Sequence, residues 1–225
     1  MKTEEIILNN FQLKYPLERL ALLSDILFLD IETTGFLTGS SSIYLIGCAY
    51  YEDGNWKLRQ WFAQTPDEES EILSAFLAFA EPYSYLIHYN GNTFDLPFLR
   101  KKADKYGISY TLSSKKGLDI FRRITPYKNF LKLPDCKLKT IESFLGIHRE
   151  DIYTGGQLIQ VYHDYTSSHD YDLYHTLILH NADDMKGMLE TLPILSYYDL
   201  FNCSIKASRH RQTTIMICMV SRAKN

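Results

Sequence analysis

The chain has 225 residues, 45% of them apolar and 23% charged, which is ordinary globular composition. Its 31 aromatic side chains (17 Tyr, 12 Phe and 2 Trp) exclude disorder as a description of the whole. The formal net charge of −3 excludes a strongly basic, nonspecific nucleic-acid coat. The length predicts one large domain or at most two small ones, with enough surface to bury a sizeable core. No apolar run approaches the roughly 18 residues of a membrane span. The opening MKTEEIILNNFQ has acids where a signal peptide has a basic stretch and a long apolar run, so the cytoplasm is the expected compartment. Residues 201–225 carry Lys206, Arg209, Arg211, Arg222 and Lys224 and no acid, so the body up to residue 200 is acidic and the tail basic. Cys48, Cys136, Cys203 and Cys218 show no zinc-type spacing and read as free thiols.

In chain order, the expected elements begin with a helical lead-in to about Leu23. ILFLDIE (26–32) then reads as a buried strand, closed by the turn signal Thr33-Thr34-Gly35. Residues 43–62 read as a β-hairpin about Asp53-Gly54. A helix follows with Thr65 as N-cap, Pro66 at its first position and Glu68 completing a capping box, running to about Ala80. YSYLIHYN (83–90) reads as another strand, and 94–107 as a helix capped by Gly107. Beyond Leu112 the pattern turns helical: 119–123, 138–145, 158–165 and a long stretch from His169 to about Tyr198, ended or kinked by Pro193. Gly155-Gly156 reads as a turn. The tail is basic and holds an apolar run, Thr214–Val220, which suits a strand or the stub of a longer architecture. The order predicts an α/β fold with a central mixed sheet flanked by helices.

Three acidic segments stand out. In FLDIETTG (28–35), Asp30 and Glu32 are two apart at the end of an apolar strand, so both carboxylates share a face. Two like charges there repel unless a cation sits between them, and hard divalent ions prefer carboxylate oxygen. In HYNGNTFDLPFL (88–99), Asp95 falls in the first turn of a helix, either as a dipole-favoured acid or as a third ligand. In LHNADDMKGM (179–188), helical spacing puts Leu173, Leu177, His180, Asp184 and Met188 on one stripe and turns Asp183 away. His163, His169 and His175 share no helix face and read as ordinary polar positions. Asp119 reads as a helix cap, and Lys115-Lys116 and Arg122-Arg123 as solvated charges or contacts to a substrate backbone.

Taken together, Asp30-x-Glu32, the Asp95 of YNGNTFD and Asp184 four after His180 resemble the DEDD 3′–5′ exonucleases on the ribonuclease-H-like fold. IYLIGCAYYEDGNW, LPDCKLKTIESFLGI and DIYTGGQLIQVYHDY more closely resemble the YprB-type ribonuclease-H-like domains. The resemblance covers roughly residues 20–200 and implies an exonuclease domain over 1–200, core about 24–200, followed by the tail 201–225. It implies hydrolysis of single-stranded DNA or RNA from a 3′ end by two divalent ions, Mg²⁺ or Mn²⁺. The ligands would be Asp30, Glu32, Asp95 and Asp184, with His180 orienting or deprotonating the water. Thr33, Thr34, Gly35 and Phe36 would line the terminal nucleotide, with Phe36 as a stacking platform. Asn90 and Phe94 would shape the opposite side of the cleft. The sequence departs from the family at His180, which stands where the subclass with four-residue spacing has tyrosine. A non-catalytic nucleic-acid-binding or scaffold domain, and an endonuclease on the same fold, are the alternative readings. Neither membrane nor protein partners are implied.

Overall fold

The computed structural model describes residues 1–151 and 153–209. Among the described residues six strands form one mixed sheet: β1 (Lys2–Leu8), β2 (Ile26–Thr33), β3 (Ile43–Glu52), β4 (Asn55–Phe62), β5 (Tyr85–His88) and β6 (Lys116–Asp119). Their order is β1-β4-β3-β2-β5-β6. The first four run antiparallel to their neighbours, and β5 and β6 join β2 in parallel. The helices are α1 (Glu69–Ala80), α2 (Asp95–Tyr106), α3 (Ile120–Ile124), α4 (Leu138–Leu145), α5 (Gly155–Ser168), α6 (Tyr171–Thr191) and α7 (Leu195–Arg209). None of them is long and apolar enough to cross a membrane.

Strand alternation decides the layers. Leu27, Leu29 and Ile31 pack with Ile72, Phe76, Phe98 and Leu99 of α1 and α2. Ile26 and Phe28 point to the other face, into a core with Met185, Met188 and Leu189 of α6 and Ile141 of α4. A tyrosine-rich cluster of Tyr44, Phe62, Tyr162, Tyr165 and Tyr174 seats α5 and α6 on β3 and β4. Asp30 and Glu32 continue the Ile26–Phe28 register and therefore face α6.

The main expected elements are present. The hairpin turn at Asp53-Gly54 has φ of 50° and 80°, the left-handed pair of a type I′ turn. Gly107 caps α2 with φ of 65°. Pro193 falls in a 3-10 turn that separates α6 from α7. Several expectations are corrected. The lead-in is not helical: residues 2–8 form edge strand β1, because β4 offers an unpaired ladder that the chain's beginning completes. Thr65 makes no cap hydrogen bond; the Glu68 carboxylate instead accepts from the Gln64 N–H at 2.6 Å. Gly155-Gly156 opens α5 under a Thr154–Gln157 capping box rather than forming a separate turn. Strand β6, KGLD, carries too little apolar pattern to be read locally and exists through its parallel pairing with β5. Helix α7 runs across residue 200 to Arg209, and Thr214–Val220 lies outside the described residues. Cys48, Cys136 and Cys203 are free thiols, the first two buried.

Behind the sheet, a buried ion pair anchors the β2–β3 loop. Glu69 accepts from the Ile43 N–H at 2.7 Å and lies 3.1 Å from Lys102 Nζ, which also donates to the Ser41 carbonyl. Lys102→Met leaves a buried carboxylate short of its counter-charge and is expected to cost about 3–5 kcal/mol, read by urea unfolding. A loss below about 1 kcal/mol would place the pair's charge in water instead.

Candidate active site

Five predicted residues converge where the C-terminal end of β2 meets α2 and α6. Glu32 Oε1 lies 3.5 Å from His180 Nε2, and His180 Nε2 lies 3.6 Å from Asp184 Oδ2. Ligand atoms of Glu32, His180 and Asp184 all fall within 4.8 Å of one another. Asp95, in the first turn of α2, accepts from the Ile31 N–H at 3.1 Å, so its carboxylate abuts the backbone between Asp30 and Glu32. Asp30 Oδ2 accepts from Asn181 Nδ2 at 2.9 Å.

This crowding is electrostatically costly. Burial, then the carboxylates of Asp95, Glu32 and Asp184, push Asp30 well above the usual carboxylate range. Glu32 is pushed up in the same way by burial and by Asp184, Asp95 and Asp151, against a smaller pull from Arg149. Burial raises Asp95 to about 7, against the hydrogen bond from Ile31. Among the described residues no lysine or arginine forms an ion pair with Asp30, Glu32 or Asp95. Half-buried Asp30 and buried Glu32 and Asp95, without a lysine or arginine partner and joined by the Asp184 carboxylate, fit divalent metal ions by donor chemistry.

Sequence reasoning missed the groups that hold this constellation. Asp151 Oδ2 lies 2.7 Å from His180 Nδ1. Burial pushes the Asp151 carboxyl up, but the Tyr153 N–H, His180 and Lys139 outweigh it and hold it below its ordinary value. Asn181 is completely buried, with its Oδ1 accepting from Gln60 Nε2 at 2.9 Å. The register aligns Asp30, Gly47 and Gln60 across three strands, and Asn181 lies over the middle one. A Cβ on Gly47 would fall 2.0 Å from Asn181 Oδ1. Gly47→Ala is therefore expected to displace Asn181, to cost about 1–3 kcal/mol by overpacking, and to weaken divalent-cation binding through Asp30. Thermal unfolding and Mn²⁺ titration check it; unchanged values in both would show that α6 shifts freely. Only the glycine in a buried strand could have signalled this approach in advance.

The expected nucleotide-lining residues have mixed fates. Phe36 is 78% exposed, its ring 6.2 Å from that of half-buried Phe94, which also packs on Phe98. The Thr33 hydroxyl donates to the Gly35 carbonyl and Thr34 Oγ1 accepts from the Ser42 N–H, so both hydroxyls serve the loop itself. Asn90 takes a left-handed φ of 62°, and its N–H donates to Asp119. Asp119 caps α3 as expected and also ties down this loop. Asp183 and Asp184 are both half-buried, but Asp183 accepts from the Glu150 and Asp151 N–H groups. Lys115 donates to the Glu81 and Tyr83 carbonyls and Arg123 to the Tyr198 hydroxyl, so both have structural partners.

A family B DNA polymerase from the hyperthermophilic archaeon Pyrobaculum calidifontis matches with TM-score 0.59 and 16% identity, over 73% of this chain and 23% of the polymerase chain. Exonuclease I also matches, at TM-score 0.46 and 14% identity, over 76% of this chain and 42% of that one. The chain thus spans less than half of either solved chain. A search of curated proteins gave no match. The family model for the RNase_H superfamily matches residues 27–193, from the strand bearing Asp30 and Glu32 to the end of the helix bearing Asp184, and the chain is a member of that superfamily with its α/β fold.

Proposed function

We propose that this protein is a metal-dependent 3′–5′ exonuclease that hydrolyses phosphodiester bonds of single-stranded DNA or RNA. The observation that carries the reading is the convergence of half-buried Asp30 and buried Glu32 and Asp95, which have no lysine or arginine ion pair among the described residues, with Asp184 and His180. Membership of the superfamily supports a nuclease; the order and spacing of the acids support the 3′–5′ direction. The segments 43–56, 133–147 and 151–165 support the YprB-type branch.

Asp30, Glu32, Asp95 and Asp184 would hold two divalent ions, which when bound supply an acidified water and neutralise charge on the scissile phosphate. His180 acts at that water. Its Nδ1 bonds to Asp151, which leaves Nε2 as the acceptor for the proton. The water oxygen would bond to phosphorus as the P–O3′ bond breaks, the freed O3′ would take up a proton from solvent, and a 5′-nucleotide would leave. Exposed Phe36 offers its ring face to the terminal base.

The test is a nuclease assay on 5′-labelled single-stranded DNA and RNA with Mg²⁺ or Mn²⁺, wild type against Asp30→Asn. The expected result is a ladder shortening from the 3′ end, absent in the variant, with closed circles untouched. Cleavage of circles would make the protein an endonuclease. No cleavage in either metal would make it a non-catalytic nucleic-acid-binding domain.

A further inference from the structure

Arg149 belongs to none of the acidic motifs, yet its side chain is tied directly into the site. It lies in the α4–α5 connection with its side chain only 10% exposed. Its Nη1 donates to both Glu142 oxygens, at 3.0 and 3.1 Å. Its Nη2 donates to Asp184 Oδ1 at 2.5 Å and lies 3.5 Å from Asp151 Oδ2. The far side of this bridge is also built. Glu142 is buried against α6 where Gly187 has no side chain, and a Cβ there would lie 1.9 Å from Glu142 Oε1. Gly187 follows Asp184 by three residues, so the glycine opens the same helix face that the acid uses. Arg149 Nε has no acceptor among the described residues.

The division of labour on Asp184 is specific. Oδ1 is gripped by Arg149, and Oδ2 faces His180 Nε2 in the cluster with Glu32. We propose that Arg149 is a positioning residue for the metal site, holding one oxygen of Asp184 so that the other is presented beside Glu32 and His180. The proposal rests on the reading that these acids take divalent cations. The loop that carries Arg149 is itself pinned, because Asp183 accepts the N–H groups of Glu150 and Asp151. One short segment thus supplies the outer partners of both Asp184 and His180.

Two other roles make opposite predictions. A guanidinium that merely competes for Asp184, or merely adds positive charge nearby, hinders a cation, and its removal should tighten binding. A positioning residue, when removed, should loosen it. The experiment is Mn²⁺ titration of the full chain by calorimetry and by electron paramagnetic resonance of free Mn²⁺, with metal-free melting temperatures alongside. Arg149→Met is expected to weaken Mn²⁺ binding about 10- to 100-fold, the usual range for losing an outer partner. Arg149→Lys should recover only part of this, since an ammonium keeps the charge but lacks the fork that spans Glu142 and Asp184. On an Asp184→Asn background, Arg149→Met should add little. If Arg149→Met does not fold, Arg149→Lys carries the comparison. Unchanged or tighter Mn²⁺ binding in the folded variant overturns the proposal. A wild type that binds Mn²⁺ in this Arg149-dependent way but cleaves nothing retires the nuclease reading and supports the positioning role. A wild type that binds no Mn²⁺ overturns both.

Discussion

Asp184→Asn is expected to lower metal-dependent cleavage by at least about a hundredfold, since even outer partners of metal ligands cost 10- to 100-fold. Asp183→Asn should stay within a few-fold of wild type. The two acids are adjacent, but α6 turns them about 100° apart. Asp184 sends Oδ2 into the Glu32–His180 cluster. Asp183 turns outward and accepts from Glu150 and Asp151 N–H groups at 3.0 and 2.8 Å. An asparagine carbonyl oxygen can accept those two bonds, so the loop survives the substitution. At position 184 the amide brings N–H donors or a neutral oxygen where a cation needs a full carboxylate. Single-turnover cleavage and Mn²⁺ titration of both variants decide it, and the reverse order of effects would sink the helix-face assignment.

Metal-linked stability is expected to depend steeply on pH. Asp95 sits at about 7, and Asp30 and Glu32 are pushed up by burial and by one another. A carboxylate raised on folding binds more protons in the native than in the unfolded chain between its two pKa values. Stability therefore falls as pH rises through that window, for Asp95 from about 4 to about 7. Metal-free protein should thus lose melting temperature from pH 5 to pH 8. Cations must displace the retained protons, so Mg²⁺ or Mn²⁺ affinity should rise with pH, by about tenfold per unit for each proton released. The melting shift on adding metal should be small at pH 5.5 and largest near pH 8. Scanning fluorimetry across that range, with chelator or with Mn²⁺, measures both trends. Asp30→Asn removes one raised carboxylate and should flatten the metal-free slope. A metal-free melting temperature that rose with pH would mean that the acids ionise freely without a cation.

The candidate ligands were legible because their signals are local. Asp30 and Glu32 share a face by strand alternation, His180 and Asp184 by helical spacing, and Asp95 follows a recognisable strand-to-helix turn. The hairpin, the Gly107 cap and the break at Pro193 were legible for the same reason: each depends on backbone preferences within a few residues. Strands β1 and β6 were not, because edge pairing is set by which ladder is left open elsewhere in the chain.

The sequence by itself determined an α/β chain with four acids in register and a histidine beside the last of them. Only the tertiary structure decided what surrounds those acids. Asn181 reaches Asp30 across the space left by Gly47, Asp151 meets His180, and Arg149 bridges Glu142 to Asp184 beside Gly187. Apart from Arg149–Glu142, seven residues apart, these contacts join residues 29 to 151 positions apart. Hydrogen bonds and close packing act over a few ångströms of space, and no periodicity along the chain reports which distant segments the sheet and helices bring within that reach.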